Sequence, residues 1–245
     1  MILIPAIDIK DGKCVRLLRG DYATARQVAD DAVSAARSFC EAGAEWVHVV
    51  DLDGAKVAKP ENSDLILKIR DNSGLKLEVG GGIRSMETVD YYLQNGISRV
   101  ILGTAAVSNQ AFVQEAVRKY GERIAVGIDA KDGFVARNGW TETSSVNYLK
   151  MAKYMERIGV KYIIFTDISR DGTLSGPNLD MLDAVNRTVN CSIIASGGVA
   201  TVKDIANLLS LNLYGAISGK AIYTGDLDLK EAIRLCGKEQ RNGEQ

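Results

Sequence analysis

Two aspartates close matching apolar runs: Asp8 ends ILIPAID and Asp129 ends RIAVGID. Each is followed by Lys-Asp-Gly and then by an arginine, so AIDIKDGKCVR from Ala6 and GIDAKDGFVAR from Gly127 share Ile, Asp, Lys, Asp, Gly and Arg in register. Carboxyls at the ends of buried strands suit acid/base work on a substrate held between them, provided one keeps its proton near neutral pH while the other is ionised. The alternative is that each aspartate only caps its own Lys-Asp-Gly turn.

A second pair of motifs suits anions. Gly80-Gly81-Gly82 with Arg84, followed by Gly103-Thr104, repeats at the same spacing as Ser196-Gly197-Gly198, followed by Gly219-Lys220. Glycine lets backbone N–H groups approach a phosphate, and a helix N-terminus favours its charge. Around these lie Arg16, Arg19, Arg137 and Trp140 in long segments between elements, residue types that grip phosphate or stack on a flat ring. Trp140 stacks on a ligand or anchors its loop. Thr166 bonds a sugar hydroxyl or holds Asp129, and Asp171 and Gly172 fall near the second anion motif. His48, the single histidine, is a substrate contact or a packed strand residue.

These residues need a frame. ILIPAID, AEWVHVVD, LKLEVGG, SRVILG, RIAVGID, KYIIFTD, CSIIASGG and LYGAISG read as eight strands, separated by amphipathic helical stretches such as SMETVDYYLQNG and NQAFVQEAVRKYG. Eightfold strand–helix alternation predicts an α/β fold, a single (β/α)8 TIM barrel over residues 1–245. The shared strings predict two homologous half-barrels, approximately 1–122 and 123–245. Asp8 and Asp129 then face each other across a ring about 15 Å wide, their carboxylates about 7–10 Å apart. The anion motifs sit on opposite walls, roughly 15–20 Å apart, which calls for an extended small molecule with a phosphate at each end. The segments 10–27, 131–145 and 169–178 are expected to be lid loops.

A net charge of -1 with mixed signs argues against a nucleic-acid partner. No apolar run reaches the roughly 18 residues of a membrane span, and the N-terminal run lacks the basic flank and cleavage site of a signal peptide. Cys14, Cys40, Cys191 and Cys236 are scattered, without metal-ligand or disulfide spacing. The expectation is a cytoplasmic, monomeric enzyme without metal or nucleotide cofactor.

With IPAIDIKDGKCVRLLRGD, GGGIR, GIDAKDG, GW, TDISRDGTLSGPN and ASGGV in order along the whole chain, the sequence resembles the histidine-biosynthesis barrel family, and its isomerase branch most closely. The resemblance implies an Amadori rearrangement, aminoaldose to aminoketose, in a bisphosphorylated substrate of L-histidine biosynthesis. It further implies Asp129 as the general acid that opens the ribose ring, Asp8 as the base that removes the C2 proton, and no cofactor. Two rivals are similar: the cyclase half of imidazole glycerol phosphate synthase, and a bifunctional isomerase that also accepts phosphoribosylanthranilate.

Overall fold

The computed structural model describes residues 1–137, 139–140 and 142–242, without the side chains of 238–242. Eight parallel strands form its centre: β1 (Ile2–Lys10), β2 (Trp46–Asp51), β3 (Lys76–Gly80), β4 (Arg99–Leu102), β5 (Ile124–Lys131), β6 (Tyr162–Asp167), β7 (Ser192–Ser196) and β8 (Gly215–Ser218). They pair in chain order, and β8 pairs with β1, so the sheet closes on itself. Each strand is followed by a helix, from Ala32–Glu41 after β1 to Leu229–Asn242 after β8. The (β/α)8 barrel expected from the alternation is the observed fold.

Local chemistry explains the boundaries. Ser85 caps Met86–Gln94 through Thr88 N, Asn109 caps Gln110–Tyr120 through Phe112 N, and Thr201 with Asp204 forms a reciprocal capping box. The main apolar core lies between sheet and helices, with Val47, Leu77, Val100, Val126 and Phe165 among its fully buried residues. A smaller one fills the barrel interior with Ile4, Ala6, Ile101, Ala125, Ile164, Ile194 and Ile217. The barrel is thus a packed plug with usable space only above its layers. Among the described residues, no helix is long and apolar enough to cross a membrane.

Two of the expected lid loops are β-hairpins. Lys13–Leu18 runs antiparallel to β1 and pairs with Asp21–Ala29. Phe134–Arg137 runs antiparallel to β5 and pairs with Glu142–Asn147. Each hairpin turns on its Asp-Gly, with positive φ at both residues: 50° and 70° at Asp11-Gly12, 51° and 86° at Asp132-Gly133. That is the turn whose twist matches paired strands.

Two of the remaining βα connections, after β2 and after β6, are each fixed by a carboxylate. Asp51 ends β2 and is fully buried; it accepts hydrogen bonds from Gly54 N (2.8 Å), Glu61 N (2.8 Å), Asn62 N (2.9 Å) and Asn62 Nδ2 (2.7 Å). Asp167 ends β6 and accepts from Ser169 N (2.9 Å), Ser169 Oγ (2.7 Å) and Asn178 Nδ2 (2.7 Å). Removing the Asp51 carboxylate leaves buried N–H donors without an acceptor. Asp51→Ala is therefore expected to lose about 3 kcal/mol in urea denaturation; a loss below about 0.5 kcal/mol would show that the loop is held by other means.

Candidate active site

One cavity opens at the C-terminal ends of the barrel strands. Asp8, His48, Gly81, Gly82, Arg84, Gly103, Thr104, Asp129, Trp140, Thr166, Asp171, Gly172, Gly197, Gly198, Gly219 and Lys220 all line it. Of the residues singled out in the sequence, Arg19 is the exception. Its side chain is exposed outside the lining, and its backbone N–H donates to Asp171 O at 3.2 Å. Arg16, three residues earlier on the hairpin strand, lines the cavity instead.

Asp8 is paired with that arginine: Arg16 Nη1 donates to Asp8 Oδ2 at 2.5 Å, both side chains largely buried. Burial works against the Arg16 charge, and the attraction of Asp8 overcomes it, so the guanidinium holds its proton more tightly than an ordinary arginine. The guanidinium fills the space beside Gly219, where a Cβ would lie 1.2 Å from Arg16 Nη2. Neither aspartate caps its Lys-Asp-Gly turn; each looks into the cavity.

Asp129 sits on the opposite wall, since β1 and β5 are four strands apart in a ring of eight. Trp140 Nε1 donates to Asp129 Oδ2 at 2.8 Å, and Thr166, its register partner on β6, bonds it as well. Burial raises the Asp129 pKa; these two hydrogen bonds and the nearby His48 only reduce the rise. Asp171 is half-buried and pushed up to about 6, chiefly by burial and further by Asp8 and Asp129, against the pull of Arg16 and His48. The cavity therefore holds one carboxylate tied to a cation and two carboxyls that keep their protons to higher pH than an ordinary aspartate.

The anion motifs occupy opposite walls, after β3 and β4 and after β7 and β8. Gly103 and Gly219 are the N-caps of short helices, Thr104–Ser108 and Lys220–Thr224. The central glycines have a second reason to be glycine. With φ of 72° and 82°, a Cβ on Gly82 would meet Gly54 O at 2.4 Å, and one on Gly198 would meet Gly176 O at 2.4 Å. Each thus lies against the backbone of the connection after β2 or after β6, the two connections fixed by Asp51 and Asp167.

Lids meet over this floor. Trp140, itself at φ 71°, lays its ring on Gly20, where a Cβ would be 2.5 Å from Trp140 Cε3. Lys220 Nζ donates to Gly172 O at 2.8 Å, tying the second anion motif to the loop that carries Asp171. Two charged residues escaped the sequence reading, Glu78 and Arg99, which pair at 2.9 Å beneath His48. Their signal was a charge inside each of two apolar strands, LKLEVGG and SRVILG. Among the described residues, no group of three or more His, Cys, Asp or Glu side chains is placed to hold a metal ion.

Fold and site together define a (β/α)8 barrel with opposed carboxyls and two glycine turns on opposite walls of one cavity. The model of the histidine biosynthesis protein family matches residues 2–228, and the chain belongs to that family. A relative from Clostridium novyi is 54% identical over 238 residues, 97% of this chain and 100% of its own length. Another from Listeria welshimeri is 52% identical over 235 residues, 96% of this chain and 98% of its own. Both bear the name 1-(5-phosphoribosyl)-5-((5-phosphoribosylamino)methylideneamino) imidazole-4-carboxamide isomerase.

Two outcomes test this geometry. Gly219→Ala should displace the Arg16 guanidinium and cost about 2 kcal/mol of stability, visible as a broken Asp8–Arg16 pair in a crystal structure of the variant; an intact pair would refute the packing. A carboxyl whose folded pKa lies above its unfolded value binds its proton more tightly in the folded chain, so stability drains as pH rises from 3.8 to about 6 at Asp171. Asp171→Asn should accordingly be more stable than wild type at pH 7.5 by about 1 kcal/mol, with the difference shrinking towards pH 4 in denaturant titrations. A variant less stable at pH 7.5 would contradict it.

Proposed function

We propose that the protein is an intramolecular aldose–ketose isomerase, converting the aminoaldose bisphosphate ProFAR to the aminoketose PRFAR in L-histidine biosynthesis. The observation that carries the reading is the placing of Asp8 and Asp129 on opposite walls between two anion cradles. Relatives more than half identical over nearly the whole chain carry the corresponding isomerase name, and neither the cyclase nor a second activity appears in it.

In this reading one phosphate lies against Gly81, Gly82, Arg84, Gly103 and Thr104, and the other against Gly172, Gly197, Gly198, Gly219 and Lys220. Trp140 covers the sugar, and Arg19 joins the phosphate contacts only when its hairpin moves. Asp129 donates its proton to the ribose ring oxygen; the C1–O bond breaks, and the nitrogen lone pair forms the Schiff base. Asp8 then removes the C2 proton, the electron pair shifts to give an enolamine, and tautomerisation delivers the ketose. The substrate's own nitrogen is the electron sink, so the reading requires no cofactor. The reading takes the protein to be a monomer in the cytoplasm.

One observation favours a second acid. Trp140 and Thr166 stabilise the Asp129 anion, whereas Asp171 is held near 6 without such donors. The halves 1–122 and 123–245 belong to the proposal as homologous half-barrels, supported by Asp51 and Asp167 performing one task after equivalent strands; residues 243–245 lie outside the described residues.

The test is ketose formation by the purified protein without ammonia or a glutaminase. Asp8→Asn should lose about a thousandfold in kcat with KM little changed, and so should the Asn variant of whichever carboxyl is the acid, Asp129 or Asp171. Near-normal turnover in Asp8→Asn, or in both other variants, would end the acid/base reading.

A further inference from the structure

Beneath the cavity three side chains run across adjacent strands at paired register positions: His48 on β2, Glu78 on β3 and Arg99 on β4. His48 lines the cavity, while Glu78 is fully buried and Arg99 is 1% exposed. His48 Nδ1 lies 2.8 Å from Glu78 Oε1, and Arg99 Nη2 lies 2.9 Å from Glu78 Oε2. The guanidinium is held between two rings, 4.4 Å from the centroid of Trp46 and 4.2 Å from that of Tyr162. Neither Glu78 nor Arg99 takes part in the acid/base steps above.

Their chemistry orders the histidine. A carboxylate at this depth persists only beside a cation, which Arg99 supplies, and Arg99 is in turn fixed by its aromatic neighbours. An ionised carboxylate only accepts hydrogen bonds, so the hydrogen between His48 and Glu78 belongs to Nδ1. Nε2 is then the ring atom that gains or loses a proton.

We propose that Glu78, anchored by Arg99, is a positioning residue that holds His48 in the Nδ1–H tautomer and presents Nε2 to the substrate cavity. Around His48 stand Glu78 with Arg99 behind it, Asp129 on β5, Asp171 in the connection after β6, and the Asp8–Arg16 pair on the β1 side of the cavity. The charge of His48 is felt at both Asp129 and Asp171, where it lowers the pKa. Glu78 thus orients the neutral ring and lies beside the charged one, which acts on the two carboxyls without Glu78 touching the ligand.

His48 is the only histidine in the chain, so heteronuclear NMR follows its ring nitrogens in the intact protein without ambiguity. The expected result is a neutral ring with its hydrogen on Nδ1, and titration at Nε2. In Glu78→Gln the neutral ring should show both tautomers, because an amide can either accept from Nδ1–H or donate to Nδ1. The kinetic arm rests on the isomerase reading: kcat should fall on the order of tenfold with KM within about threefold, and Glu78→Asp should recover part of the loss. A wild-type neutral ring with its hydrogen on Nε2 would overturn the proposal, as would a folded Glu78→Gln with unchanged tautomer and kcat. If Glu78→Gln does not fold, the wild-type tautomer decides alone. Should the isomerase reading itself fail, wild type shows no turnover, while the NMR result still stands or falls by itself.

Discussion

Asp51 and Asp167 line no part of the cavity, yet the shape of the cavity follows from them. Each ends a strand and gathers the N–H groups of the following connection, pinning that backbone beside the next strand's glycine turn. The connection then leaves no room for a Cβ at Gly82 or Gly198, which is where the turn exposes its own N–H groups. A buried carboxylate with several short hydrogen bonds is strong because its donors are already fixed and need no reorganisation. The two glycine turns therefore inherit their rigidity from Asp51 and Asp167, which lie outside the cavity lining.

Over this rigid rim the charges are arranged by contrast. Asp8 has a guanidinium at 2.5 Å, whereas Asp129 and Asp171 lie in poorly solvated surroundings that favour the neutral form. Three carboxyls in one cavity would repel one another if all were ionised. Pairing one and dehydrating the others reduces that conflict and gives the carboxyls unlike environments. Trp140 belongs to this arrangement twice over, bonding Asp129 through Nε1 while its ring rests on Gly20 of the opposite hairpin. Closing the lid and setting the state of Asp129 are one contact.

Much of this was legible in the residues because it depends on local order. Strand ends are marked by the switch from an apolar run to Asp or Gly, and the barrel rule turns strand ends into a site. The hairpins escaped because Lys13–Leu18 and Phe134–Arg137 are short and mixed in character, although Asp11-Gly12 and Asp132-Gly133 carried the turn signal. Missing the hairpin hid which arginine faces inward. Once Asp8 pairs with Val15, Arg16 is the next residue along and its long side chain reaches back to Asp8 at the cavity wall, whereas Arg19, beyond that strand's end, stays outside. Glu78 and Arg99 were invisible for another reason: their meaning arises only when β2, β3 and β4 align, bringing residues from positions 48, 78 and 99 together.

That buried row also bears on why the barrel floor is not wholly apolar. Ile4, Ile101, Ile164, Ile194 and Ile217 would pack a hydrocarbon floor on their own, and such a floor avoids the desolvation that an Arg–Glu pair incurs. The pair is close at 2.9 Å but its facing atoms are not aligned as a hydrogen bond, so the flanking Trp46 and Tyr162 rings and the His48 contact carry much of what offsets that cost. What an apolar floor lacks is an orientation to impose. An isoleucine beneath His48 would leave its ring free to choose either tautomer, whereas a carboxylate fixed from below admits one. The charged row follows a single direction, from a cation packed in the barrel to an imidazole at the wall of the cavity that Asp8 and Asp129 also line.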